Sequence, residues 1–312
     1  MVTVSAPGKL VLCGEHAVLH GQPAIVMAIN RRMRVKMRLR NDNIVAIKSH
    51  KFGIVNLKFS DLETEKCANK WYSSIAFLAK KILSAGCGVD IDITSQIEDV
   101  GFGSSGALFS CVAYGLLKIT INSITMNSKI KLLFYILDLY REFNKLRTKS
   151  AIQPSGIDIV ASVLGGVAYF YPKKKVVEKL NFDMLKNTKL TAIFTGQRTN
   201  KKLVRDVIFY TKHRKRIYKK IGKIVKKIRK SMTKKKRRKM FSLLRKNQKM
   251  LDKLGLSNIT ISRIISQCKK KKIIAKISGS GLGDCVLALG KIDINDKQCF
   301  DIEVDEKGIE IE

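Results

Sequence analysis

Through most of the first sixty residues, apolar and polar positions alternate with a period of two. The runs VTVS, KLVLC, AIVMAI, RVKMRLR, IVAIKS and IVNLKF are broken by Gly, Pro, Asn and Asp, which predicts short strands joined by turns in an antiparallel start. The period then lengthens. Residues 62–85 set Trp71, Ile75, Leu78 and Ile82 on one face of a helix that Gly86 ends. GVDIDITSQI alternates again as a strand and leads to a glycine-rich turn, GFGSSG, followed by an apolar helix and then a second helix over 128–146. QPSGIDIVASVLGGVAYFY, residues 153–171, repeats that order: a turn, an acid, a short apolar helix, a Gly-Gly stop and a strand. KLTAIFTG at 189–196 reads as a strand, residues 201–270 as helical, and IIAKIS, DCVLALG, CFDIEV and GIEIE as closing strands. This succession predicts an α+β fold with two intertwined sheets, and 312 residues are enough for two lobes.

The turn at 101–106 raises the first chemical question. Gly101, Gly103 and Gly106 let the backbone open towards a ligand, and the helix after them begins with amides that have no intrahelical acceptor. An anion suits that place. The P-loop pattern is excluded, because it requires Gly-Lys before Ser or Thr at the helix start and no lysine follows until Lys118. Two other stretches are equally unusual. APGKLVLCGEHAVLHG (6–21) puts Lys9 at the entry of a strand that ends in Gly-Glu-His, and KISGSGLGDCVLALG (276–290) is a glycine-rich loop between two apolar strands.

Composition narrows the class. The apolar runs at 24–29 and 107–117 are too short to cross a bilayer and no secretory signal is evident, so a cytoplasmic protein without a membrane partner is expected. Seven scattered cysteines without a CxxC pair read as reduced thiols and argue against zinc. The net charge of +36 is concentrated: residues 201–250 hold 23 Lys or Arg against one acid, Asp206. No aromatic residues interleave with its densest run, TKKKRRKM, so a solvated helix face is expected rather than a nucleic-acid surface.

The stretches SAPGKLVLCGEHAVLHG, GFGSSGA and SGSGLGDC resemble, in order and spacing, the three motifs of the GHMP kinases, the superfamily of galactokinase, homoserine kinase, mevalonate kinase and phosphomevalonate kinase. GEHAV followed by HG, and NQKMLDKLGLS at 247–257, are most similar to its mevalonate kinases. The resemblance implies a ribosomal-protein-S5-like α/β lobe that binds ATP over 1–165 and a ferredoxin-like α+β lobe over 166–312. It implies transfer of the γ-phosphoryl of ATP, with Mg²⁺, to the 5-hydroxyl of mevalonate. Gly101, Gly103, Ser104, Ser105 and Gly106 would hold the nucleotide, Ser105 would also meet Mg²⁺, and Asp158 would take the hydroxyl proton with Lys9 beside it. Glu15, His16, Gly279, Ser280 and Gly281 would lie on the substrate side. A homodimer is left open.

Two departures bear on this expectation. The magnesium-binding glutamate of mevalonate kinases falls in a window that here reads Arg-Thr-Lys at 147–149, and the nearest acid is Glu142. Leu282 and Asp284 stand where the third motif is otherwise glycine, and Gly-Asp-Cys there is similar to some phosphomevalonate kinases. Phosphomevalonate is therefore the alternative acceptor. An inactive kinase scaffold that binds a polyanion through 201–250 is the reading from a different class.

Overall fold

The computed structural model describes residues 1–50, 53–58, 70–84, 86–97, 100–120, 128–147, 153–197, 204, 206 and 209–312. The first half contains β1 (Val2–Cys13), β2 (Ala24–Arg40), β3 (Ile44–Ser49), β4 (Gly53–Lys58), α1 (Lys70–Ile82), β5 (Gly88–Ser95), α2 (Ser104–Thr120), α3 (Lys129–Arg147) and α4 (Ile157–Leu164). The second half contains β6 (Val167–Tyr171), β7 (Val176–Leu180), α5 (Asp183–Lys186), β8 (Leu190–Phe194), α6 (Arg214–Thr233), α7 (Arg237–Lys253), α8 (Ile259–Lys270), β9 (Ile274–Ser278), β10 (Cys285–Leu289), β11 (Cys299–Ile302) and β12 (Glu310–Ile311).

The strands form two sheets, as the α+β reading expects. The larger runs β12-β1-β2-β5-β3-β4, with β6 and β7 branching from β2; the smaller runs β11-β8-β10-β9. Four of the expected short strands are fused into two long ones. VTVS and KLVLC are one strand through Pro7-Gly8, and AIVMAI and RVKMRLR form the 17-residue β2. Pro7 has no amide to give the ladder, and the register slips between Pro7 and Gly8 instead of the strand breaking. The length of β2 lets one end pair with β6 and the other with β5. β3 pairs with β5 in parallel, which departs from the antiparallel expectation. Strand β7 was not foreseen, and the last strand, β12, returns to the edge of β1. The helix expected over 62–85 appears as α1, and its first eight positions lie outside the described residues.

Helix α2 is the centre of the first core. It is buried on nearly every side, against β1 and β2 below and α1, α3 and α4 around it. At Gly115 a Cβ would stand 1.8 Å from Met37 Cε, so any larger residue there would require the buried Met37 side chain to move. Helix α3 packs Leu133, Ile136, Leu137, Tyr140 and Phe143 inward, and the Phe109 ring meets Tyr140 edge-on at 5.1 Å.

The basic segment folds as α6 and α7, an antiparallel pair. Ile217, Ile221, Val225, Ile228 and Met232 form the buried stripe of α6, spaced at three and four residues, and the lysines occupy its other faces. Helix α8 is capped by Asn258, whose side chain accepts the Ile261 amide at 2.9 Å. Among the described residues no helix is long and apolar enough to cross a membrane.

Candidate active site

The three glycine-bearing stretches converge. Gly101 and Gly103 have φ of 90° and 85°, conformations that favour glycine, and they turn the chain into α2, where the Gly106 and Ala107 amides both donate to Gly103 O. Ser104 and Ser105 are the first two residues of that helix. Lys9 comes alongside from β1. Its amide donates to Phe102 O at 2.7 Å, its shaft lies where a Cβ on Gly103 would stand 2.9 Å from Lys9 Cγ, and its Nζ donates to Gly101 O at 3.2 Å.

Asp158 reaches the same place from α4. Its Oδ1 lies 3.7 Å from Lys9 Nζ, and its side chain is one-third exposed while Lys9 is nearly buried. The approach depends on Gly106, where a Cβ would stand 2.5 Å from Asp158 Cβ. Asp158 does not cap its own helix. The N-cap of α4 is Gly156, and the amide of Ile157, the first residue of the helix, donates to Ser155 Oγ at 3.3 Å. Ser162, one turn further on, anchors α4 to β1 by donating to Pro7 O at 2.9 Å. The sequence-predicted pair, Lys9 and Asp158, is thus brought to the head of α2 by two separate elements.

The third loop closes on this group. His16 has a left-handed φ of 56°, and its Nε2 lies 2.7 Å from Ser280 O, joining the Gly-Glu-His turn to the 279–283 loop. Gly279, Gly281, Leu282 and Gly283 all have positive φ in that loop, and among the described residues the buried Ser280 Oγ has no hydrogen-bond partner. Asp284 takes a left-handed φ of 59° and is mostly buried. Its Oδ2 stands where a Cβ on Gly101 would be 2.9 Å away, so a carboxylate faces the glycine turn.

Glu15, expected on the substrate side, follows the end of β1. Its side chain has no solvent exposure and is ion-paired with Lys276, which is equally enclosed. Asn247 Nδ2 donates to its other oxygen at 3.0 Å. A carboxylate engaged on both oxygens inside the protein braces the turn, and His16 is the member of the Gly-Glu-His stretch that meets the third loop. Glu142, the nearest acid to the expected metal position, sits on α3 with its carboxylate 2.6 Å from Lys81 of α1, both nearly half exposed.

Lys276, Asn247, Gln248 and Asp284 adjoin these residues, and the sequence alone assigns them no role. A signal existed for the first three. Asn247 and Gln248 lie between Leu244 and Leu251 on the inward face of an amphipathic helix, and Lys276 interrupts an apolar strand. Buried polar groups need partners. Gln248 Oε1 accepts the Ile277 amide at 2.8 Å, which satisfies a backbone donor on the edge strand β9.

The donor set suits magnesium brought by a nucleotide. Two hydroxyls and the carboxylates of Asp158 and Asp284 surround the glycine cradle, all hard oxygen donors, and Mg²⁺ in phosphoryl-transfer sites typically takes one or two carboxylates along with substrate phosphates. Among the described residues no three acids, histidines or cysteines gather as a resident metal site would require.

No family model matches the chain. Over 310 residues it is 27% identical to the mevalonate kinase of Archaeoglobus fulgidus, covering 99% of both chains. The crystal structure of Methanococcus jannaschii mevalonate kinase superposes with a TM-score of 0.77 at 18% identity, covering 97% of this chain and 98% of that one. Lactococcus lactis galactokinase, solved with galactose, superposes with a TM-score of 0.78 at 16% identity over 99% of this chain and 94% of its own. Likeness along the whole sequence, the shared fold and the convergence of three glycine-bearing stretches make the chain similar to the GHMP kinases and, among them, most like the mevalonate kinases.

Proposed function

We propose that the protein is a mevalonate kinase, moving the γ-phosphoryl group of ATP to the 5-hydroxyl of mevalonate. The observation that carries this reading is the Lys9–Asp158 pair at the head of α2, where a carboxylate and a cation stand beside the glycine turn. The turn and the positive end of α2 bind the triphosphate. Ser104 and Ser105 add hydroxyl ligands on the same side. Asp158 is exposed enough to accept the proton of an acceptor alcohol, and Lys9 holds the charge that builds between the acceptor oxygen and the phosphoryl group. Magnesium, when bound with the nucleotide, neutralises phosphate charge; Ser105 and Asp284 are the residues assigned to face it, in place of Glu142. His16 and the Ser280 loop form the wall on the acceptor side.

A coupled assay of ADP release over a panel containing mevalonate, phosphomevalonate, galactose and homoserine tests the proposal. Turnover with mevalonate at least about tenfold above each of the others is expected, a preference within the reach of one specific polar contact. Preference for phosphomevalonate would replace the acceptor while keeping the chemistry. No ATP-dependent transfer to any of them would defeat the kinase reading.

A further inference from the structure

The charge of the basic helix α6 converges on a groove outside the kinase centre. A cavity of about 560 Å³ lies between α6 and the β6–β7 hairpin, floored by Tyr169 and Tyr171. Lys226, Arg229 and Lys230 enter it from α6 and Lys234 from the residue that caps its C-terminus; Arg229 and Lys230 follow Lys226 by three and four residues, and Lys234 follows Lys230 by four, the spacings that make side chains neighbours on a helix surface. Lys174 enters from the turn after β6. Five cations therefore share one concave space with a single carboxylate, Glu178, which is ion-paired with Arg229.

The rings organise the cations. Arg229 lies 4.7 Å from the Tyr169 centroid, while Lys226 and Lys174 lie 5.3 and 5.8 Å from that of Tyr171. Burial pushes the Tyr169 hydroxyl up from its ordinary range, so it stays a neutral hydrogen-bond donor at physiological pH. Like charges held this close repel one another. A multivalent anion relieves that repulsion, and the cavity has room for a compact one.

We propose that this groove is a binding site for a compact polyphosphate, a chain of two or three phosphate groups, free or as part of a small ester. Nucleic acid is the less fitting ligand. Base stacking needs an open aromatic face, and the two tyrosines present theirs to lysine and arginine. Anion binding here is distinct from nucleotide binding at 101–106, because its cations come from α6 and the β6–β7 turn.

Calorimetric titration of the full chain with inorganic tripolyphosphate, at fixed moderate salt, tests the site. Three proteins are compared: the natural chain, Lys226→Gln/Lys230→Gln, and the equal-charge control Lys246→Gln/Lys249→Gln on the exposed side of α7. The turn at 101–106 is intact in all three, so any binding there is common to them and the difference isolates the groove. The expected result is a saturable site whose affinity falls about tenfold or more in the groove variant, with the control unchanged. Equal weakening in both variants would mean diffuse charge and would overturn the proposal, as would the absence of a saturable component that the groove variant removes. A parallel titration with a single-stranded RNA oligomer decides the ligand class. Tighter RNA binding that is lost in the groove variant, without such loss for tripolyphosphate, would overturn the small-anion assignment.

Discussion

Asp158 Oδ1 and Lys9 Nζ stand 3.7 Å apart although they come from different elements, α4 and β1, with the α2 turn between them. Because Gly156, and not Asp158, is the N-cap of α4, the carboxylate has no helix-capping duty to confound a substitution. Asp158→Asn keeps the size of the side chain and removes the base. Turnover is expected to fall roughly 10²- to 10⁴-fold while the melting temperature stays within experimental scatter. A variant that loses stability in step with activity would make Asp158 a structural residue.

Gly106 sets the distance between α2 and Asp158. Alanine is the best helix former, so Gly106→Ala would ordinarily stabilise α2. Here its methyl would meet Asp158 Cβ at 2.5 Å. The aspartate must shift by about 1 Å to restore an ordinary contact, and a misplacement of that size costs about 10²-fold in turnover. The KM for ATP is expected to change far less than kcat. Unaltered kcat would show that the approach of the two helices is not what positions the base.

The local rules of the sequence reached some parts of this arrangement and not others. The turn at 101–106, the helix behind it and the Pro-Ser-Gly turn before Asp158 are written in consecutive residues, so glycine placement and apolar spacing reveal them. The fusion of VTVS with KLVLC across Pro7-Gly8 is invisible locally, because it depends on β2 running unbroken alongside. The same holds for β12, which finds its partner some 300 positions away. Glu15 shows the limit most clearly. Its neighbours Gly14 and His16 suggest a site residue, but its partners, Asn247 and Lys276, lie more than 230 residues on and enclose it.

Asp284 replaces a glycine of the third motif and accepts a left-handed φ to do so. If its carboxylate faces the cation, Asp284→Asn raises the magnesium concentration needed for half-maximal activity by about tenfold and weakens metal–nucleotide binding measured by calorimetry, with metal-free nucleotide affected less. Glu142→Gln, at the half-exposed pair with Lys81, is expected to leave the magnesium requirement where it was. The opposite ranking of the two variants would return the metal to Glu142.

Cys13 and Cys111 are fully buried, and burial pushes both thiols far above the ordinary 9.0. They stay protonated in the native state and ionise in the unfolded chain above that value. Their contribution to stability is therefore fully present below pH 9 and is lost as pH rises towards the raised native pKa, by about 1.4 kcal/mol per thiol at pH 10. Replacing Cys111 with Ala lowers stability at pH 7 by leaving a small cavity, yet flattens the decline between pH 8 and pH 10. Denaturant melts of both proteins across that range check the sign. A parallel decline would place the alkaline lability elsewhere.

Lys276 and Glu15 form an ion pair with no solvent exposure, tying the end of β1 to the second sheet, with Asn247 of α7 as the third member. Breaking such a pair on one side leaves the other charge buried and uncompensated, which costs about 3–5 kcal/mol, whereas replacing both charges with apolar groups of similar volume is often neutral. Lys276→Met is thus expected to be strongly destabilised, and Lys276→Met with Glu15→Met to recover most of the loss. Recovery of activity separates bracing from chemistry. If the pair only holds the Gly-Glu-His turn, the double variant regains turnover together with its melting temperature, because His16 can again meet Ser280 O. If Glu15 touches the acceptor after all, stability returns and turnover does not, and the KM for the acceptor stays high while that for ATP is normal.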